Sequence, residues 1–292
     1  MRNYWFVGDI HGEVRLLNRL LENILKFKPE RIVFLGDYID RGPYSKEVID
    51  RIMSMEVPAT ALLGNHEMLM LNAIEDLGYG MNPIELWYYN GGEATLQSFG
   101  SSSFFSFQSD LESHYLDFIR SLPVSKVLVL GQRLKVLATH AGVSPSIEID
   151  EQIKMKDYTS LIHYLSKYRI DPGESVLWVR DTFFCSSPDL WKDYLVVHGH
   201  TPVMKLKRFI ESNGSTEFYF VDNDLCIRKE RDSGRIVSID IDSGSTISGR
   251  LSGLGFFLEG ENQADSRIRM RSLTVSNEEL FPRDLGLVNH VD

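Results

Sequence analysis

Residues 34–45, FLGDYIDRGPYS, place Asp37, Asp40 and Arg41 within five positions of one another, directly after an apolar run. Two carboxylates beside a guanidinium are typical of a solvated turn, and they are equally able to hold metal and phosphate together. This segment by itself does not separate the two interpretations. The decision depends on the residues that follow the other apolar runs.

Five apolar runs end in the same way, at Gly or His, with side chains that can bind a metal ion. The motifs after them are GDIHG with Asp9 and His11, GDYIDRG with Asp37, Asp40 and Arg41, GNHE with Asn65, His66 and Glu67, HAG with His140, and HGHT with His198 and His200. Each motif alone has an ordinary explanation, such as a turn, a helix cap with a first-turn acid, or a satisfied histidine at a strand end. Their repetition at the carboxyl ends of predicted strands favours a ligand site at that edge of the sheet.

The residue types indicate which ligand this edge would bind. Carboxylate, amide oxygen and imidazole without any thiolate suit borderline to hard divalent cations, and a carboxylate such as Asp37 can bridge two of them. Two-metal sites hold their cations about 3.5–4 Å apart, lower the pKa of bound water and stabilise the oxygens of an in-line displacement. The bound cations would also give the pocket a positive charge that attracts a phosphate dianion.

The elements that must position these residues are short buried strands and amphipathic helices. The apolar runs predict strands over residues 3–7, 31–35, 59–63, 135–139 and 194–197. Helical spacing of apolar residues predicts helices over residues 13–27, 45–55, 66–77, 110–122 and 157–168. The opening order of strand, helix, strand, helix, strand predicts parallel strands with helices packed on them.

The remaining segments have weaker patterns. Residues 90–109 are rich in Gly and Ser and predict a surface loop, whereas the alternating segments after residue 202 predict antiparallel strands. The polar residues from about 262 onward predict a loosely attached tail or a terminal strand and helix. One domain is therefore expected, over residues 1–260, with an extension over 261–292.

The composition excludes several classes of protein. The chain has 292 residues and a formal net charge of −10, from 31 basic and 41 acidic residues, so a nucleic acid is not expected as a partner. Two distant cysteines, Cys185 and Cys226, predict no disulfide framework and fit a reducing compartment. No apolar run approaches the length of a signal-peptide core or a membrane span. A soluble cytoplasmic protein without membrane partners is expected, and the sequence leaves its oligomeric state open.

Taken in this order, GDIHG, GDYIDRG, GNHE, HAG and HGHTP resemble the metal-dependent phosphoprotein phosphatases of the calcineurin-like superfamily, and most closely their bacterial and phage branch. The resemblance runs over about residues 3–257 and includes NGGEATLQSFG, LWVRD and IDSGSTISGRLSGL. It implies an α/β fold, a mixed β-sandwich flanked by helices, with the metal site at the carboxyl ends of the strands. The C-terminal segment of the eukaryotic enzymes is not recognisable, and residues 205–235 form an insertion, expected as a hairpin near the mouth of the site.

The resemblance also implies a role for each motif residue. The implied metal ligands are Asp9 and His11 on a first cation, Asp37 as the bridge, and Asn65, His140 and His200 on a second. The implied substrate-binding residues are Arg41, Arg180 and Asn65, with a surface salt bridge as the plain alternative for Arg180. His66 would protonate the leaving oxygen and Asp40 would hold its ring. His198 is not an implied metal ligand. Glu67 has no implied role beyond that of an acidic residue in the first turn of a helix.

The implied activity is that of a serine/threonine protein phosphatase with a dinuclear metal centre and a bridging hydroxide. Mn²⁺ is the expected cation, with iron or zinc compatible, and the partners would be phosphorylated proteins or peptides or small phosphoesters. One alternative is a symmetrical diadenosine tetraphosphate hydrolase or another small-molecule phosphoesterase, although such hydrolases resemble GNHD rather than GNHE. A second alternative is a non-catalytic phosphate-binding module, which would be expected to lack a ligand or His66.

Overall fold

The computed structural model describes residues 1–77, 82–210, 215–260 and 267–288. Its strands are β1 (Asn3–Val7), β2 (Arg31–Phe34), β3 (Ala59–Ala61), β4 (Ser125–Leu130), β5 (Leu134–Thr139), β6 (Tyr194–His198), β7 (Thr216–Val221), β8 (Leu225–Glu230), β9 (Ile236–Asp240), β10 (Leu251–Glu259), β11 (Arg267–Val275) and β12 (Leu280–Leu287). Its α-helices are α1 (Val14–Leu25), α2 (Ser45–Met53), α3 (Asn65–Glu75), α4 (Pro83–Tyr89), α5 (Gly92–Ser98), α6 (Phe104–Asp110), α7 (Ser113–Arg120), α8 (Ile149–Lys154), α9 (Tyr158–Tyr168), α10 (Asp181–Cys185), α11 (Val203–Leu206) and α12 (Ser245–Ser248).

The strands form two mixed sheets. The first sheet has the order β12-β11-β10-β1-β2-β3, and the second has the order β4-β5-β6-β9-β8-β7. The strands β1, β2 and β3 run parallel to one another, as do β5, β6 and β9. An antiparallel strand borders the first trio on one side, at β1, and antiparallel strands border the second trio on both sides. The mixed sheets predicted by the resemblance are therefore confirmed.

Alternation along the strands divides the core into layers. In β1, Phe6 faces the cluster between the sheets, whereas Trp5 and Val7 face the cluster beneath the helices. In β5, Val136 and Ala138 face the layer between the sheets, and Leu137 faces a third cluster on the other side. Because both faces are covered, these strands are apolar almost throughout, as buried parallel strands are.

The two parallel trios bring six chain segments to one edge of the sandwich. Asp9, Asp37 and Asn65 follow the strands of the first sheet, and His140, His200 and Asp242 follow those of the second. The backbone joins these loops directly, since the N–H groups of Ile10 and His11 donate to the carbonyl oxygen of Asp37 at 3.0 and 2.8 Å. Across the second sheet, the Gly199 N–H donates to the His140 carbonyl oxygen at 2.8 Å.

Two predicted segments differ from the structure. Residues 90–109 contain the helices α5 and α6 rather than a surface loop, because Thr95, Leu96, Phe104 and Phe107 are buried against their neighbours. The C-terminal segment, predicted as a tail or as a terminal strand and helix, forms two antiparallel strands, β11 and β12, and β11 pairs with β10 along its whole length. The remainder of that prediction, over residues 261–266 and 289–292, lies outside the described residues.

The insertion and the terminal strands meet at one edge. Strands β7 and β8 form an antiparallel hairpin, and the buried Asp224 in its turn accepts hydrogen bonds from Arg250 at 3.1 Å and Arg283 at 2.8 Å. Cys226 is a buried free thiol, and Cys185 is partly buried. In the described part of the chain, no helix has the length and apolar character needed to cross a membrane.

Candidate metal centre

Five polar residues at the meeting edge adopt the left-handed backbone region that non-glycine residues seldom occupy. They are His11, Asp37, Asp40, Arg41 and His200, with φ between 47° and 70°. Such conformations cost roughly 1–3 kcal/mol each and persist where the surrounding structure enforces them. Here the loops turn sharply after each strand, which directs the side chains inward rather than to solvent.

These loops assemble two groups of potential metal ligands that share one carboxylate. The first group is His11, Asp37 and His66, and the second is Asp37, His140 and His200; within each group the ligand atoms lie within 4.8 Å of one another. All five side chains are buried. Asp37 is common to both groups, as a bridging ligand would be.

The hydrogen bonds of two histidines fix which ring nitrogen is available. His11 Nδ1 lies 2.9 Å from the Ile39 carbonyl oxygen, and His140 Nδ1 lies 2.8 Å from that of Leu35. A carbonyl can only accept, so each Nδ1 carries a proton. Burial lowers the pKa of both imidazoles; both rings are therefore neutral, and each Nε2 presents a lone pair toward Asp37.

The lone pair of His140 faces oxygens rather than a donor. Its Nε2 lies 2.8 Å from Asn65 Oδ1 and 3.3 Å from Asp37 Oδ1. His200 Nε2 is fully buried and has no hydrogen-bond partner among the residues that the structure describes, and burial lowers the pKa of this imidazole well below its usual value. Acceptors directed at one another in a buried space are costly, and divalent cations would satisfy them. These nitrogen and oxygen atoms are therefore suitable ligands for the pair of cations that the sequence predicts.

Asp9, predicted as a ligand of the first cation, accepts a backbone hydrogen bond in this structure. Both of its carboxylate oxygens accept the His200 N–H, at 3.1 and 3.2 Å, and His66 takes its place in the first group of ligand atoms. A Cβ atom on Gly199 would lie 2.1 Å from Asp9 Oδ1, so only glycine allows this approach. Burial and the neighbouring Asp242 raise the pKa of Asp9 well above its usual value.

The two arginines predicted to bind phosphate both lie at this centre. Arg41 donates from Nη1 to His11 Nε2 and from Nη2 to His66 Nε2, each at 2.7 Å. Arg180 is half-buried, and within the described ranges its guanidinium has neither a hydrogen bond nor an ion pair. Burial lowers the pKa of Arg180, while Asp37 acts in the opposite direction. The surface salt bridge considered for Arg180 is not what the structure contains.

His66 and Glu67 occupy the first turn of α3 but perform different tasks. His66 Nδ1 lies 2.7 Å from Asp40 Oδ2, and both side chains are fully buried. Glu67 accepts backbone N–H groups from Asp37, Tyr38 and Gly64 at 2.8–3.1 Å. Burial, followed by the charge of Asp37, raises the pKa of Glu67 to about 8. Glu67 thus ties together the loops after β2 and β3, beyond the capping role expected for it.

His198 lies outside both ligand groups. Its Nδ1 lies 3.3 Å from the Gly199 carbonyl oxygen, and its ring packs against Phe183 and Phe184 at 5.1 and 5.7 Å between centroids. Burial lowers its pKa to about 3, which makes it a neutral core residue.

Sequence reasoning missed three buried polar neighbours of the site. Asp242 follows β9, the sixth strand that ends at this edge, and would have been found by treating IDSG like the other strand ends. Trp87 and Thr95 both donate to the carboxylate of Asp40. No spacing signal connects these two residues to Asp40; the paired glycines of NGGEAT, next to a tryptophan, were the available hint.

Comparison with known proteins places this chain in a family. A sequence profile described as Calcineurin-like phosphoesterase matches residues 2–232. The chain is 29% identical over 196 residues to "Bis(5'-nucleosyl)-tetraphosphatase, symmetrical" of Coxiella burnetii (strain Dugway 5J108-111), covering 66% of this chain and 57% of that relative. It is 40% identical over 93 residues to "Serine/threonine-protein phosphatase 2" of Escherichia coli (strain K12), covering 32% of this chain and 39% of that relative.

A solved metallophosphoesterase from Sphaerobacter thermophilus has a TM-score of 0.45 at 15% identity, covering 87% of this chain and 82% of that chain. The match of this chain spans little more than half the length of the Coxiella protein. Because the family profile extends over most of the sequence, from β1 through the strand-end motifs to β8, the chain belongs to the calcineurin-like phosphoesterase family.

Proposed function

We propose that this protein is a metal-dependent phosphoester hydrolase. The observation that carries the proposal is the set of neutral, buried imidazoles of His11, His140 and His200 around the shared carboxylate of Asp37. Neutral imidazoles and ionised carboxylates are the forms that bind divalent cations. A binding module without catalysis would not need His66 and Asp40 as a buried pair beside them.

The proposed ligands follow from the strand ends. The first cation would be held by Asp9, His11 and Asp37, and the second by Asp37, Asn65, His140 and His200. Mn²⁺ is the cation proposed for the test, and the oxygen and imidazole donors are also compatible with iron or zinc. When bound, two such cations lower the pKa of water and offset the charge of a phosphoryl group.

The two arginines would bind the phosphoryl oxygens. The lone pair of His11 Nε2 now accepts from Arg41 and cannot serve both a guanidinium and a cation. A cation held by His11 Nε2 would therefore leave the Arg41 Nη1 group available to a substrate oxygen. Arg180 has no hydrogen bond to give up among the described residues, so its guanidinium is free to form a bidentate contact with phosphate.

His66 would act as the general acid. Once Arg41 turns to substrate, His66 Nε2 can carry a proton, while Nδ1 keeps its hydrogen bond to Asp40. A water oxygen joins phosphorus, and the bond from phosphorus to the leaving oxygen breaks with its electron pair on that oxygen. The leaving oxygen takes the proton from His66 Nε2. The attacking water releases one proton to solvent, and His66 Nε2 then takes up one proton from solvent.

The proposed substrate class is a symmetrical dinucleoside tetraphosphate. Its support is the similarity over 196 residues to a protein with that printed name. The sequence argument against this substrate depended on GNHE in place of GNHD. Glu67 is fully buried and accepts only backbone N–H groups among its described hydrogen bonds, so its identity reflects loop packing rather than substrate choice.

A protein phosphatase is the second candidate. One observation favours it, which is the higher identity of 40% to a serine/threonine-protein phosphatase, although over only 93 residues. Both candidates use the same phosphate-binding and proton-donating residues, and they differ in the group attached to the phosphate.

The test compares three substrates on Mn²⁺-loaded protein: diadenosine tetraphosphate, a phosphoserine peptide and p-nitrophenyl phosphate. We expect two ADP molecules per diadenosine tetraphosphate, at a higher kcat/KM than for the peptide. The His66→Asn variant should lose about 10²- to 10⁴-fold in kcat with its metal content unchanged. His114→Asn is the matched control, because His114 is half-exposed on α7.

Each outcome is decisive for one part of the proposal. Faster turnover of the peptide would replace the dinucleotide by a phosphoprotein as substrate, and ATP with AMP as products would exclude symmetrical cleavage. If the metal-loaded protein hydrolyses none of the three compounds, the hydrolase proposal is wrong.

A further inference from the structure

The carboxylate of Asp40 is fully enclosed and receives three side-chain contacts. Besides His66 Nδ1 at 2.7 Å, the indole Nε1 of Trp87 lies 3.0 Å from both Asp40 oxygens. The hydroxyl of Thr95 donates to Asp40 Oδ1 at 2.6 Å. Asp40 has no solvent exposure, so these protein groups, not water, determine where its oxygens point.

Thr95 also holds the backbone of the same residue. The Asp40 N–H donates to Thr95 Oγ1 at 2.9 Å and to Ser45 Oγ at 3.1 Å. One hydroxyl therefore accepts from the backbone of Asp40 and donates to its side chain. Because Asp40 is in the left-handed region with φ of 70°, this double contact stabilises a conformation that aspartate would otherwise rarely adopt.

The segment that carries Trp87 and Thr95 is fitted closely to this turn. The Arg41 N–H donates to the Gly91 carbonyl oxygen at 3.2 Å. A Cβ atom on Gly92 would lie 2.6 Å from the Trp87 indole, so the helix α5 can approach the ring only with glycine at its start. Phe104 and Phe107 of α6 pack against the same indole, at 6.3 and 5.6 Å between centroids.

We infer that Trp87 and Thr95 are positioning residues for the Asp40–His66 pair. They fix the carboxylate so that one oxygen receives His66 Nδ1, which orients Nε2 toward the leaving oxygen. Thr95 and Trp87 also occupy acceptor positions on the Asp40 oxygens, so the carboxylate is held in one orientation toward His66. This inference rests on the proposed function, in which His66 is the proton donor.

A role in positioning differs measurably from a role in folding alone. A misplaced general acid slows the departure of a poor leaving group more than that of a good one, because nitrophenolate leaves with little help from a proton. A folding defect lowers the fraction of active protein and reduces the rate on every substrate by the same factor. The dependence of the loss on the leaving group therefore separates the two roles.

The experiment compares Thr95→Val, which removes the donor at nearly constant volume, with Thr95→Ser, which keeps it. We expect Thr95→Val to lose about tenfold to a hundredfold in kcat on phenyl phosphate, a smaller loss on p-nitrophenyl phosphate, and a nearly unchanged KM. Thr95→Ser should recover most of the rate. Trp87→Phe should resemble Thr95→Val, and Thr159→Val, at an exposed position of α9, should change nothing.

A second measurement needs no turnover. The Nδ1 proton of His66 should give a downfield proton resonance in metal-free protein, absent in His66→Asn, and Thr95→Val should shift it while Thr95→Ser leaves it in place. An equal rate loss on both esters, or an unmoved resonance, would overturn the inference with the hydrolase proposal intact. A wild-type protein inert toward every phosphoester would instead refute the proposed function on which the inference rests.

Discussion

The environment of Arg180 does not stabilise its charged guanidinium. Its guanidinium is half-buried, its pKa is lowered by burial, and no hydrogen bond in the described part of the chain compensates for the lost hydration. A group held in this way lowers the stability of the fold and is retained where a ligand supplies the missing contacts.

Replacing Arg180 should therefore separate activity from stability. In Arg180→Leu we expect kcat/KM for phosphoester hydrolysis to fall about tenfold to a hundredfold, since a charge-assisted contact to phosphate contributes roughly 1.5–3 kcal/mol. The free energy of unfolding should stay equal or rise, because the leucine needs no hydration. Urea denaturation and steady-state kinetics measure the two effects.

Arg133→Leu is a suitable control on the exposed turn between β4 and β5, where activity should not change. A large loss of stability in Arg180→Leu would show that Arg180 is a structural residue.

At the level of elements, the turn of the β7–β8 hairpin joins the two sheets. Asp224 is fully buried and binds Arg250, which follows α12, and Arg283 of β12. Both guanidinium groups also lie over the Phe281 ring, at 4.2 and 5.8 Å from its centroid. The residues 205–235, expected as an insertion, thus contact the terminal strands through one buried carboxylate.

Asp224→Asn should lower the free energy of unfolding by about 1.5–3 kcal/mol, the range for a buried hydrogen bond to a charged group. The physical reason is that the amide brings an N–H group against a guanidinium. Urea denaturation of the metal-free protein measures this.

The neighbouring Asp222→Asn is the matched control. Asp222 also binds Arg283, but its side chain is 66% exposed, so the expected loss is about 0–1 kcal/mol. Equal losses in the two variants would contradict a special role for the buried carboxylate.

At the scale of the whole molecule, the two sheets are brought together at an edge where buried acids accumulate. Burial raises the pKa of Asp9, Asp240 and Asp242, to about 7 for Asp242. Asp240 Oδ2 and His200 Nε2 have no hydrogen-bond partner in the described structure. The metal-free fold therefore carries an electrostatic cost that bound cations would remove.

Cation binding should accordingly stabilise the whole fold. Adding Mn²⁺ to chelator-treated protein should raise the unfolding temperature, with a gain of about 2.7 kcal/mol when the free ion is at a hundred times its Kd. Asp37→Asn should abolish most of the gain, because Asp37 belongs to both ligand groups. Scanning calorimetry with and without Mn²⁺ measures it.

Asp232→Asn, at an exposed turn position, should keep the full gain and serves as the control. An unchanged unfolding temperature in the wild-type protein would argue against a metal centre at this edge.

The sequence alone determined the parallel strands, the helices α1, α2 and α3, and the edge at which the strand-end residues meet. These features are local: an apolar run of four or five residues predicts a buried strand, and the residue after it must lie at that strand's carboxyl end. Membership of the calcineurin-like family was also readable from five short motifs, and the profile match confirms it.

Only the tertiary structure decided which groups surround each motif residue. Trp87 and Thr95 lie 47 and 55 positions from Asp40, and the segment between residues 90 and 109 has the composition of a loop. Its helices form because Thr95, Leu96 and Phe107 find buried partners on the rest of the fold, and packing of this kind overrides weak local propensity. Contacts over such distances have no period in the sequence, so they exist only once both sheets and their helices have assembled.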